Sequence, residues 1–176
     1  MSQRGSGYER KARDQYETPA WVTDCVIHYV DVNRVVWEPA CGSGKMVRAL
    51  VKHGLTVCGT DIETGEDFLK TGYLPDPSTA TIVTNPPYAL AQEFIEHALK
   101  LTKPVAGTVA MLLRTDYDHA KSRQHLFGKC EQFWTKVMLT KRIKWFEDSK
   151  GQPSFNHAWF TWDWKHEGAP TLAYGP

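Results

Sequence analysis

An α/β fold with a central, mostly parallel sheet, helices on both faces and a terminal antiparallel strand is what this sequence predicts. Three observations predict it. Short β-branched runs alternate with stretches of helical apolar spacing through most of the chain. A glycine-rich loop joins the first such run to a helix. The chain then ends strand-rich, which is the mark of an antiparallel addition.

Taken in order, MSQRGSGYERKARDQ is polar and lacks an apolar period, so residues 1–15 read as a flexible basic arm. Thr18-Pro19 offers a cap and a first-turn proline for a helix through WVTDCVIHYV. RVVWEP is a short buried strand. ACGSGK follows, then a helix through MVRALVKHG that Gly54 can end. LTVCGTDI and STATIVTNPPY are the second and third strands. Leu90, Phe94, Ile95, Ala98 and Leu99 have helical spacing, with Pro104 beyond the end. VAGTVAMLLR is a fourth strand, and a helix is expected over 116–127. FWTKVMLT and NHAWFTWDW are late strands. In the latter, Ala158, Phe160, Trp162 and Trp164 share one face and His157, Trp159, Thr161 and Asp163 the other, mostly as core. One domain is expected over 16–167, with 168–176 as a tail.

Composition sets bounds. The chain has 176 residues, 41% hydrophobic and 12% aromatic, enough for one substantial core. A net charge of +1 names no partner by itself. Cys25, Cys41, Cys58 and Cys130 form no CxxC pair, so no metal site is expected and a reducing compartment fits. No apolar run approaches about 18 residues and no signal-like start is seen, so a soluble, cytoplasmic protein without membrane contact is expected.

The chemistry concentrates in two places. EPACGSGK lies between strand and helix, where glycines let backbone approach a ligand and helix N–H groups point at it. Asp61 follows Glu38 by 23 residues at the end of the next strand, where a carboxylate can accept both hydroxyls of a ribose. A nicotinamide enzyme would prefer G-x-G-x-x-G, but Val47 takes the third glycine position. A phosphate-binding P-loop needs Ser or Thr after its lysine, and Met46 follows Lys45. The second place is Asn85-Pro86-Pro87-Tyr88, a rigid corner that ends a good strand.

Acid-Pro-Ala-Cys-Gly-Ser-Gly resembles the first motif of class I S-adenosylmethionine-dependent methyltransferases. Asn85-Pro86-Pro87-Tyr88 is similar to the [DNS]-P-P-[YFW] motif of those that alkylate planar nitrogens, chiefly adenine N6. The resemblance implies a Rossmann-like class I methyltransferase fold and S-adenosylmethionine as cofactor. It implies cofactor contacts from Glu38, Pro39, Ala40, Cys41, Gly42 and Gly44, from Asp61 and Ile62, and from Asp67, Phe68 and Asn85. Asp67 is placed either against the cofactor's adenine amino group or simply at a helix start. Tyr16-Glu17-Thr18-Pro19 resembles the element that closes over the cofactor's methionine end, so Thr18 and Pro19 join this set beside their capping role.

The implied chemistry explains the corner. An exocyclic amine gives its lone pair to the ring and is a poor nucleophile. The Asn85 side-chain oxygen and the Pro86 carbonyl are suited to accept its N–H bonds, and Pro87 helps hold the corner rigid. Tyr88 offers a face for a flipped base. These four are the expected catalytic residues, with no metal required.

LLRTDYDHAKSRQHLF, RIKWF and PSFNHAWFTWDW together resemble the C-terminal half of small adenine-specific methyltransferases of phages and prophages. The whole resemblance spans roughly residues 15 to 165. Between 121 and 150 there are eight Lys/Arg against three acids, interleaved with aromatic residues. Such a run is either a solvated face or a phosphate-tracking surface; beside the adenine-type corner, nucleic acid is favoured. Tyr88, Arg142, Phe146, Phe155 and His157 are the expected substrate contacts, with His157 otherwise a structural histidine. DNA is the favoured substrate. RNA adenine, protein glutamine N5 and a non-catalytic cofactor-binding subunit are the rivals. With no separate recognition domain expected, loops, the arm, a partner or self-association would supply target recognition.

Overall fold

A computed structural model describes residues 16–29, 35–145 and 155–175. The basic arm, Val30 and Phe146 fall outside the described residues. The elements are α1 (Ala20–Tyr29), β1 (Val35–Glu38), α2 (Lys45–Lys52), β2 (Thr56–Gly59), β3 (Thr81–Thr84), α3 (Ala91–Thr102), β4 (Thr108–Arg114), β5 (Phe133–Leu139), β6 (His157–Asp163) and β7 (Thr171–Gly175). They form one seven-stranded sheet in the order β2-β1-β3-β4-β6-β5-β7. Strands β1 to β4 pair in parallel, β6 runs antiparallel to both β4 and β5, and β7 is parallel to β5.

Helices cover both faces. On one, Val22, Cys25 and Val26 of α1 and Met46 and Leu50 of α2 pack over Val36, Val83, Ala110, Leu112 and Trp159. On the other, Phe94, Ile95, Ala98 and Leu101 of α3 pack over Trp37, Ile82, Val109, Met111 and Phe160. Each helix contributes the stripe its spacing implies, and each strand supplies alternate residues to the two layers.

The antiparallel strand lies inside the sheet because of its residues. All but Asp163 of β6 are buried. Trp159 sends its indole N–H to the Val22 carbonyl at 2.8 Å on one face, and Trp162 to the Leu126 carbonyl at 2.6 Å on the other. A strand so apolar on both faces belongs between two others, not at an edge. The edge falls instead to β7, whose Thr171, Leu172 and Tyr174 are exposed. The expected tail thus contains a strand, paired with β5 from Thr135↔Thr171 to Leu139↔Gly175.

The expected helix over 116–127 is also corrected. The segment forms two 3-10 turns, Tyr117–His119 and Lys121–Leu126, broken by Ala120 in an extended conformation. Side chains take its backbone groups in place of a helical ladder. Arg123 Nε donates to the Tyr117 carbonyl at 2.8 Å, and Lys136 Nζ donates to the Thr115 carbonyl at 2.8 Å. At α1 the first amides, Val22 and Thr23, bond to the Pro19 carbonyl. No helix among the described residues is long and apolar enough to cross a membrane.

Candidate active site

The C-terminal ends of β1, β2 and β3 meet around a cavity of about 740 Å³, within the usual range for small-molecule sites. Its wall is built first by the glycine loop. Gly42 (φ 49°) and Gly44 (φ 80°) are left-handed, and the Gly44 N–H returns to the Cys41 carbonyl at 2.8 Å. This turn delivers the chain directly into α2. Gly59, at the end of β2, makes the close approach tolerable: a Cβ there would stand 2.8 Å from Val47 Cγ2.

Asp61 ties the loop down. Its Oδ2 accepts the Gly42 N–H at 2.8 Å, and its Oδ1 accepts the Glu63 N–H at 2.9 Å. Glu38 lies beneath, 1% exposed, with Oε1 accepting the Ala40 N–H at 3.3 Å. Its Oε2 has no hydrogen-bond partner among the described residues, although the Thr84 hydroxyl stands near. Burial pushes this carboxyl up to about 8, against the opposing pull of Thr84 and the Ala40 amide. Glu38 is therefore mostly protonated at neutral pH.

The Asn85 corner forms the opposite wall. Asn85 Nδ2 donates to the Tyr16 carbonyl at 3.0 Å, which fixes which way the amide faces. Its Oδ1 is buried and accepts no hydrogen bond among the described residues. Pro86 is buried behind the corner, Pro87 lines the cavity, and the Pro87 carbonyl is taken by the Leu90 N–H at 2.9 Å. Thr18, Pro39, Ala40 and Cys41 also line the cavity, whereas Pro19, Gly44, Pro86 and Tyr88 do not.

The far end of the cavity is apolar. Phe68 is buried among Trp37, Phe94 and His97, with ring centroids 4.8–5.1 Å away, and Ile62 is 69% exposed on the cavity's rim. Asp67 caps the 3-10 turn Phe68–Lys70 through the Leu69 N–H and lines the cavity as well. The Lys70 ammonium, 2.9 Å away, holds its carboxyl below the usual carboxylate range.

Beyond the cavity, rings connect the corner to the N-terminal segment. Tyr88 and His157 lie nearly parallel with centroids 6.1 Å apart, His157 meets Trp145 edge-on at 5.3 Å, and Trp145 meets Tyr16 at 5.3 Å. His157 is 2% exposed; burial, helped by Arg114, lowers its pKa to about 4, so it is neutral. Arg142 Nε donates to Asn156 Oδ1 at 2.9 Å, and Phe155 carries the Arg114 guanidinium over its ring at 4.0 Å. Arg142, Phe155 and His157 thus stand outside the cavity but at the same end of the sheet.

Several lining residues fall outside the set expected from the sequence, Ser43, Glu63, Leu90 and Phe94 among them, and three further residues bear on the chemistry. Lys45 and Glu66 line the cavity, and Arg114 ends β4 beside His157. The signal for Arg114 was a lone cation closing an apolar strand. Lys45 stood in plain view after the glycine loop, and nothing local marked Glu66.

No protein-family model matches the sequence, and no curated protein matches it. Solved structures do match in fold. A candidate class I S-adenosylmethionine-dependent methyltransferase from Listeria monocytogenes is 14% identical with a TM-score of 0.57, over 88% of this chain and 62% of that one. A candidate RNA methyltransferase from Pyrococcus horikoshii is 15% identical with a TM-score of 0.62, over 86% and 87%. The M protein of the type I restriction enzyme EcoKI is 13% identical with a TM-score of 0.54, over 91% and 48%. The chain spans under two thirds of the Listeria and EcoKI proteins. What these likenesses share is the fold, a Rossmann-like, mostly parallel sheet with one antiparallel strand.

Proposed function

We propose that this chain transfers a methyl group from S-adenosylmethionine to the exocyclic N6 of adenine, with DNA as the favoured substrate. The observation that carries the reading is Asn85, whose amide orientation is held by Tyr16 while its buried oxygen accepts no hydrogen bond among the described residues, in the same cavity as the glycine loop.

The residues present fit the cofactor. Besides the buried Glu38, the acidic residues Glu17, Asp61, Glu63, Glu66 and Asp67 line the cavity, with Lys45 the one Lys or Arg among its described lining residues. That charge balance repels a pyrophosphate and suits a ligand of net positive charge. It weighs against a nicotinamide dinucleotide. Gly42 and Cys41 would pass the amino-acid moiety, Asp61 the ribose, and Ile62, Asp67 and Phe68 the adenine. When bound, S-adenosylmethionine supplies an activated methyl group on a sulfonium.

Asn85 Oδ1 accepts one N–H of the target amine, and the Pro86 carbonyl the other. Both acceptors favour a nitrogen whose lone pair stands free of the ring. The nitrogen gains the methyl group and gives up one proton to water, since the corner contains no strong base. Tyr88 offers its ring to the extruded base, with His157 backing it. The prolines restrict the corner's φ, so its geometry is set before the substrate arrives.

Charge around the mouth supports a polyanionic substrate. Arg114 ends β4, while Lys141, Arg142 and Lys144 follow β5, which runs parallel to β4. They therefore share the sheet end that holds Asn85. Cations there suit phosphates on either side of a flipped base. RNA adenine is the second reading: the same corner and cations would serve it, and the Pyrococcus protein of like fold is named for RNA.

Labelled-methyl transfer to DNA, RNA and protein, followed by identification of the modified group, tests the proposal. N6-methyladenine in DNA is expected. Label found only in protein glutamine, or in none of the three, would sink it.

A further inference from the structure

We infer that Lys45 is the counter-ion for the carboxylate at the amino-acid end of the bound cofactor. The inference rests on the cofactor reading above and adds a residue to it. Lys45 is the first residue of α2, directly after Gly44, and it lines the cavity beside Gly42 and Ser43.

Its position is otherwise unfavourable. A helix N-terminus carries partial positive charge, which disfavours a cation in the first turn. No acidic residue occupies the first turn of α2 to offset it. Nor does any carboxylate pair with Lys45 among the described residues. A cation left in this place, facing a cavity, gains a reason once an anion sits between it and the helix end. The first-turn N–H groups, which have no partner four residues back, then point at the same anion.

A second observation marks that end of the cavity as polar-ligand territory. Glu38 is 1% exposed, lines the cavity, and keeps Oε2 without a hydrogen-bond partner among the described residues. A buried oxygen left so is expected to meet a ligand's polar group. The neighbouring cation, Arg48, is no substitute: its Nη1 donates to the Ser43 carbonyl at 2.7 Å, and it does not line the cavity. An amino acid's ammonium and carboxylate thus find acids and one lysine on the same wall.

Calorimetry with two probes on the full chain tests this. S-adenosylhomocysteine carries the amino-acid group; 5′-methylthioadenosine lacks it. Lys45→Met should weaken S-adenosylhomocysteine binding roughly tenfold or more, as expected for losing a hydrogen bond to a charged group, while methylthioadenosine binding stays unchanged. Lys45→Arg should restore most of the loss. Unchanged affinity for both probes would overturn the inference, and so would an equal fall for both, which would mark a structural role. If the unaltered chain binds neither probe, the cofactor reading itself fails and takes the inference with it.

Discussion

Asn85 Nδ2 donates to the Tyr16 carbonyl at 3.0 Å, joining two residues 69 positions apart. The bond settles the amide's direction, because only the NH2 end can meet a carbonyl. The oxygen is left buried and without a hydrogen bond among the described residues. The segment entering α1 thereby orients the side chain that closes β3, and the loss of either partner should be felt at the corner.

Asn85→Ala should lower the methyl-transfer rate by about 10²–10³, equivalent to about 2.7–4 kcal/mol of barrier for one preorganised group. S-adenosylhomocysteine affinity should hold. Asn85→Asp keeps an acceptor but loses the donor that Tyr16 receives, and should fall between the two. Single-turnover rates beside calorimetry separate these effects; a variant that loses only cofactor binding would contradict the assigned role.

Asp61→Ala should act in the opposite sense. It frees the Gly42 and Glu63 amides together. Cofactor affinity should fall roughly tenfold or more, the scale of hydrogen bonds to a charged group, before the rate at saturation changes. Titrating S-adenosylhomocysteine into the variant checks this, and full affinity would show that the clamp is dispensable.

Glu38 should make stability fall with rising pH. Its folded pKa is about 8 against an ordinary 4.5, so the unfolded chain releases this proton first. Between those values the native state binds more protons, and stability drops as pH rises through them. His157 works the other way on the acid side: with its pKa lowered from 6.5 to about 4, its contribution is lost as pH falls through that range. From 6.5 to 8 Glu38 is the one of the two still titrating. The melting temperature of Glu38→Gln, relative to the unaltered chain, should therefore climb across that interval. A constant difference would mean that Glu38 is already charged in the fold.

Gly107→Ala should destabilise the sheet by about 1–3 kcal/mol or more, the range for overpacking. An added Cβ would stand 2.2 Å from the Ala80 carbonyl oxygen, which is backbone and cannot swing aside. Urea midpoints report the loss, and an unchanged midpoint would mean that β3 and β4 begin farther apart than described.

Much of the site was legible because its signals are local. Two left-handed glycines between a strand and a helix, and two prolines after a β-branched run, constrain backbone whatever surrounds them. The ends of β1, β2 and β3 followed from runs of four residues each. The segment 116–127 misled for the same reason. Its composition admits a helix, but the Arg123 side chain takes the Tyr117 carbonyl within the segment, and Lys136 reaches across from β5 to the Thr115 carbonyl just before it and to the Asp118 carboxylate. β7 was missed because its apolar run, Leu172-Ala173-Tyr174, is only three residues long, too short to read as a strand.

By itself the sequence determined an α/β chain with a glycine turn and a proline corner at successive strand ends. Those are properties of neighbouring residues, set by φ, side-chain alternation and helical spacing. Tertiary structure alone decided that β6 enters the middle of the sheet, that β7 takes its edge, and that Tyr16 holds Asn85 while Lys45 stands among carboxyl groups. Which strands pair, and which side chains meet across a cavity, depends on burying both faces of one sheet at once. No local stretch of chain contains that information.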